Sequence, residues 1–156
     1  MKKILILAIT LFSFNAVNAQ SSVIKANPLG LAVGVANAGY EFSVGEKNSL
    51  TISGIYYNVS SINGIGAGAE YRWYFGEENL KGWHAGPSAG FFSLKDGANN
   101  KATVFNIGAE GGHQWIFSNN FVVDVFGGLG IVTGGKSLAG LNSTALAIGV
   151  SLGYAW

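Results

Sequence analysis

The chain has 156 residues, enough for one domain, with 24 glycines, 49% hydrophobic residues and 11% charged residues. Its 9 Lys+Arg against 8 Asp+Glu leave a formal charge of +1, too small a basic surplus for nucleic acid. With no cysteine, a disulfide framework, a thiolate metal site, a cysteine nucleophile and a lipoprotein anchor are all excluded.

The first segment reads as an export signal. Lys2 and Lys3 precede an apolar run over 4–12, and Val17 and Ala19 supply the small residues of a cleavage site. A buried N-terminal helix is the alternative, but charge, apolar run and small residues come in the export order. Cleavage is expected after Ala19, giving a signal peptide at 1–19 and one domain over 20–156. Without Lys2 and Lys3 the remaining chain carries a formal charge of about −1.

From there the periodicity is two, the period of a strand. A first strand is expected over 24–35, with Pro28 marking a bulge that switches faces. A turn at 36–38 leads to a second strand over 39–45 and a third over 49–59. The fourth, 65–75, sets Ile65, Ala67, Ala69, Tyr71, Trp73 and Phe75 against Gly66, Gly68, Glu70, Arg72 and Tyr74. After a turn at 76–82 come a fifth strand, 83–95, and a sixth, 102–117. The sixth sets Phe105, Ile107, Ala109, Trp115 and Phe117 against Asn106, Gly108, Glu110, Gly112 and Gln114. The seventh, 121–133, opposes Phe121, Val123, Val125, Leu129 and Ile131 to Asp124, Gly128 and Gly130. The eighth, 143–156, is the clearest: Leu146, Ile148, Val150, Leu152, Tyr154 and Trp156 alternate with small residues. No charge lies in 137–156, so a transmembrane helix is conceivable there. A helix would not confine every large residue to one parity.

Charges fall in turns, at a strand end, or on the small, polar faces, never on the apolar ones. A soluble barrel would reverse this, whereas lipid demands it. Aromatics gather toward strand ends, as interfacial girdles would. The expected fold is all-β: an eight-stranded antiparallel up-and-down transmembrane β-barrel in the bacterial outer membrane, a monomer surrounded by outer-membrane lipid. The excess glycine suits the crowded interior of so narrow a barrel.

These residues resemble the small OmpA/OmpX-like outer-membrane barrels. The likeness is nearest to an uncharacterised barrel family with a "KxNPLGL"-like start, a "GYE" second strand and an "ExRWY" fourth. Here these read KANPLGL at 25–31, GYE at 39–41 and EYRWYF at 70–75. The C-terminus is similar to the signal read by the barrel-assembly machinery, with Val150, Leu152, Tyr154 and Trp156 in its alternate positions. The resemblance implies a closed barrel and a passing partnership with that machinery, but no activity.

Motifs suggesting chemistry do not hold. GIVTGGKS at 130–137 matches the P-loop, yet no helix is expected after it, and GIGAGA at 64–69 opens a strand, not a helix. The two histidines, His84 and His113, are scattered, so no metal site is expected. Neither is followed two residues on by the serine of lipid A deacylases. No catalytic residue, cofactor or metal is therefore assigned. The leading reading is a non-enzymatic barrel with a structural or interaction role. A minor passive pore for small solutes is the alternative, and a lipid-modifying enzyme stands third. Lys25, Glu41, Glu70, Arg72, Glu110 and Asp124 are expected to form a belt of charge in the lumen. Arg72 at its centre is expected to meet Glu70 and either Glu110 or Asp124. A water-filled lumen with these groups solvated separately is the alternative.

Overall fold

A computed structural model describes residues 21–134 and 143–156. The expected signal at 1–19, its cleavage point, and Lys136 and Ser137 of the P-loop match lie outside the described residues.

Eight antiparallel strands close a barrel in strict sequence order: β1 (Ser22–Ala26), β2 (Val35–Ser43), β3 (Asn48–Val59), β4 (Ile62–Tyr74), β5 (Gly82–Lys95), β6 (Lys101–Ile116), β7 (Phe121–Gly134) and β8 (Thr144–Ala155). Every strand pairs with its neighbours in sequence, and β1 closes on β8 with Val23 opposite Ala155. This is the up-and-down barrel that the two-residue period predicts. The start of β1, the end of β8 and the turns at 44–47, 75–81 and 117–120 share one end, here the near end. The turns at 60–61 and 96–100 lie at the far end.

The first expected strand is corrected. It does not run over 24–35, and Pro28 marks no bulge. β1 stops at Ala26, and a short helix, α1 (Pro28–Ala32), follows. Pro28 takes the first helical turn, where its fixed φ and missing N–H cost nothing. Asn27 caps it, its side-chain oxygen accepting from the Gly30 N–H at 2.9 Å. The alternation of Leu29, Leu31 and Val33 imitated a strand across what is a helical turn. The turn expected at 36–38 is also absent, because those residues belong to β2 and pair with β3. Beyond Ala26 and Leu152, where strand pairing of β1 with β8 ends, α1 packs against β2 and β8.

Outward side chains are large and apolar. Ile148 is 74% exposed and Ile107 70%, while inward Glu41 and Asp124 are 0%. Ile107 faces Ile131, and Leu129 faces Leu146, so these side chains form one continuous surface. Trp73, Trp83, Trp115 and Tyr154 lie outward toward the near end, and Tyr56, Phe91 and Phe105 toward the far end. Inside, an apolar layer of Val23, Tyr74, Leu80, Val122 and Ala155 closes the near end.

Candidate functional site

The lumen above that layer holds a network to which every strand except β8 contributes a side chain. Inward parity places Lys25 on β1, Glu41 on β2, Ser49 on β3, Glu70, Arg72 and Tyr74 on β4, His84 on β5, Gln114 on β6 and Asp124 on β7. Two glycines make room for the larger members. Gly153 lies opposite Lys25, and a Cβ there would clash first with the Ile24 carbonyl oxygen and then with Lys25 Cβ at 2.9 Å. Gly112 lies opposite His84, where a Cβ would clash with the Val125 carbonyl oxygen and come within 3.0 Å of His84 Nε2.

Lys25 Nζ donates to Glu41 Oε2 at 2.7 Å, Gln114 Oε1 at 2.9 Å and Asp124 Oδ2 at 2.9 Å. An ammonium has three N–H donors, so Lys25 is saturated. Arg72 reaches Glu70 Oε2 at 2.7 Å through Nη2 and Asp124 Oδ2 at 2.8 Å through Nη1, with Glu41 Oε2 at 3.6 Å. The other oxygen of Glu41 accepts from the hydroxyls of Ser49 and Tyr74. His84 Nε2 stands 3.0 Å from Asp124 Oδ1. A carboxylate can only accept, so this nitrogen carries the hydrogen. Gln114 donates to Tyr74 Oη at 3.1 Å and to the Leu80 carbonyl at 2.7 Å, tying the belt to the apolar layer below.

The formal charges balance at the centre: Lys25 and Arg72 match Glu41 and Asp124. Buried charges are tolerable only when paired and hydrogen-bonded in this way. Glu70 shares Arg72, and its Oε1 has no hydrogen-bond partner among the described residues. Arg72 Nε and Thr51 Oγ1 are likewise buried without a partner there.

The structure brings Lys25, Glu41, Glu70, Arg72 and Asp124 together and leaves Glu110 apart. Of the two partners expected beyond Glu70, Arg72 takes Asp124 and not Glu110. Glu110 is half-buried, has no ion pair among the described residues, and faces a cavity of about 220 Å³ on the far-end side of the belt. Ser49, Tyr74, His84, Gln114 and Leu80 were not assigned from sequence. The first four sit on the inward faces that parity defines. Leu80 had a signal too, as the one large apolar residue in a turn otherwise of Gly, Glu, Asn and Lys. No cluster suited to a metal ion occurs among the described residues.

A family model matches residues 4–138. The chain belongs to DUF3575, a family of unknown function. No curated protein matches it. In this DUF3575 member the three segments that carry the sequence resemblance meet in the lumen: Lys25 from the first, Glu41 from the second, and Glu70, Arg72 and Tyr74 from the third.

Proposed function

We propose that this protein is a non-enzymatic outer-membrane β-barrel, like the small OmpA/OmpX-type barrels, that does not conduct through its lumen and acts through its surfaces and far-end loops. The observation that carries the reading is the closure of the near half of the lumen. A cross-linked network of buried charge lies on an apolar layer in which Val23, Leu80, Val122 and Ala155 are wholly buried. Eight strands leave an interior that side chains alone can fill.

The outward surface supports the membrane location. Contiguous exposed apolar patches on soluble monomers rarely exceed a few hundred Å², whereas here outward apolar side chains recur on strand after strand. With its short turns in the periplasm, the near end would face inward and the cavity outward. An export signal at 1–19 and recognition of Val150, Leu152, Tyr154 and Trp156 by the barrel-assembly machinery belong to the same proposal. The non-enzymatic reading rests on His84, whose Nε2 is committed to Asp124 and whose Nδ1 is buried. Neither nitrogen is placed to meet a substrate.

The test is fractionation followed by conductance of the purified protein in a planar bilayer. The protein is expected in the outer-membrane fraction with no steady open current. Steady current through the wild-type barrel would overturn the closed-lumen reading and favour a passive pore.

A further inference from the structure

On the cavity side the belt presents Glu70 beside the paired cations Lys25 and Arg72, and Glu110 stands on the same wall. Lys25 spends all three donors on Glu41, Gln114 and Asp124. Arg72 spends Nη1 on Asp124 and Nη2 on Glu70. The two cations are shared among three carboxylates, Glu41, Asp124 and Glu70, and Glu110 adds a fourth with no ion pair among the described residues, so the carboxylates are in surplus. Glu70 and Glu110 both line the cavity.

Strand register places these two carboxylates on either side of β5. Glu70 pairs with Ser88, and Glu110 pairs with Gly86, two residues along. Small inward residues on β5 leave the space between them open. Thr51 pairs directly with Glu70 across β3 and β4 and also lines the cavity. Its side chain is buried at 7% exposure, and its hydroxyl has no partner among the described residues. A buried hydroxyl, which can accept as well as donate, and a buried carboxylate oxygen, both without a partner among the described residues beside a cavity, can accept from a ligand.

We propose that this cavity is a binding site for a small primary ammonium group. An ammonium brings one positive charge and three N–H donors. Thr51 Oγ1, Glu70 Oε1 and the Glu110 carboxylate are three acceptors with surplus negative charge. A bare hard cation would need six or more oxygen ligands. At about 220 Å³ the cavity has the room of several waters, enough for an ammonium with a short organic body.

The test titrates methylammonium chloride into the intact protein in detergent, followed by NMR shift changes. Tetramethylammonium, sodium and calcium chlorides serve as comparisons at equal ionic strength. Saturable binding of methylammonium is expected, about tenfold or more tighter than tetramethylammonium, which has the charge but no N–H. Glu110→Gln removes no hydrogen bond or ion pair among the described residues and should weaken binding about tenfold. Thr51→Val, a second variant outside the ion pairs, should weaken it less, and Glu77→Gln on an exposed turn should leave it unchanged. Absence of saturable binding overturns the proposal. So does indifference to both Glu110→Gln and Thr51→Val, or equal binding of tetramethylammonium or calcium, which marks a general counter-ion site. The readout does not depend on membrane location or conductance, so its failure is separable from failure of the closed-lumen reading.

Discussion

The two halves of the lumen are built on the same alternation and behave as opposites. In the near half the inward residues are large and charged, and the two cations are enclosed by partners. Lys25, Glu41, Arg72 and Asp124 are all at or below 6% exposure. In the far-end half small inward residues such as Ser53, Gly68, Ser88 and Ala147 leave a cavity beside Phe92 and Phe126, a buried apolar cluster of Leu94 and Val104 lies beyond it, and Glu110 stands without an ion pair among the described residues. The barrel wall is continuous through both, so backbone pairing does not distinguish them. Side-chain size and charge pairing do. Stability is therefore expected to be concentrated in the near half, and recognition in the other.

The largest expected effect is at the centre of the belt. Arg72→Ala leaves Glu70 unpaired and takes one of two cations from Asp124. Breaking a buried pair in this way costs about 3–5 kcal/mol. Urea unfolding in detergent, read by circular dichroism, measures it, and a loss under about 1 kcal/mol would erase the contrast between the halves. Leu80 comes next. It is wholly buried at the near mouth yet sits at φ 62°, a left-handed conformation unfavourable for a bulky residue. Leu80→Ala should cost about 2–4 kcal/mol and raise bilayer conductance. Leu80→Gly relieves the backbone while losing the same seal. It should open the mouth as much as alanine does, with a smaller loss of stability. Equal, unchanged conductance in both variants would show that Leu80 seals nothing. A smaller effect is expected at Gly153, where an added Cβ meets the Ile24 carbonyl oxygen as well as Lys25 Cβ at 2.9 Å. Gly153→Ala should cost about 1–3 kcal/mol by crowding the β1 backbone and the base of the Lys25 side chain.

Much of the near half was legible in the sequence, because period-2 alternation assigns every strand residue to a face. Glu70, Arg72 and Asp124 could be placed inside without any knowledge of the fold. Parity says nothing about which residues meet across the lumen. The choice of Asp124 over Glu110 depends on stagger: Glu110 pairs with Gly128, whereas Asp124 pairs with Gln114, four residues nearer the near end and level with the Lys25 contact. Stagger is fixed by the shear of the closed barrel, a global quantity that no single strand encodes. The misreading of 24–35 has a local cause. Leu29, Leu31 and Val33 alternate as a strand does, and the cap at Asn27 followed by Pro28 outweighs them. Asn-Pro was a stronger helix-start signal than the alternation was a strand signal.

The smallest predicted effect separates the halves most cleanly. Glu110→Gln and Asp124→Asn delete the same formal charge from the same lumen with almost no change in volume. Asp124 Oδ2 accepts from both Lys25 and Arg72, and Oδ1 faces His84. Its amide would turn an NH₂ group toward two cations or toward a nitrogen that already carries hydrogen, so the loss should approach that of Arg72→Ala. Glu110 has no ion pair to lose among the described residues, and it lines the same cavity as another carboxylate, Glu70. Neutralising it should therefore change unfolding free energy by no more than about 0.5 kcal/mol, or raise it slightly. Run together in one denaturant series, the two variants remove any uncertainty over detergent or reference state, since only their difference is read. Similar losses for both would mean that Glu110 is as firmly held as the belt, and that the two halves of the lumen form one network.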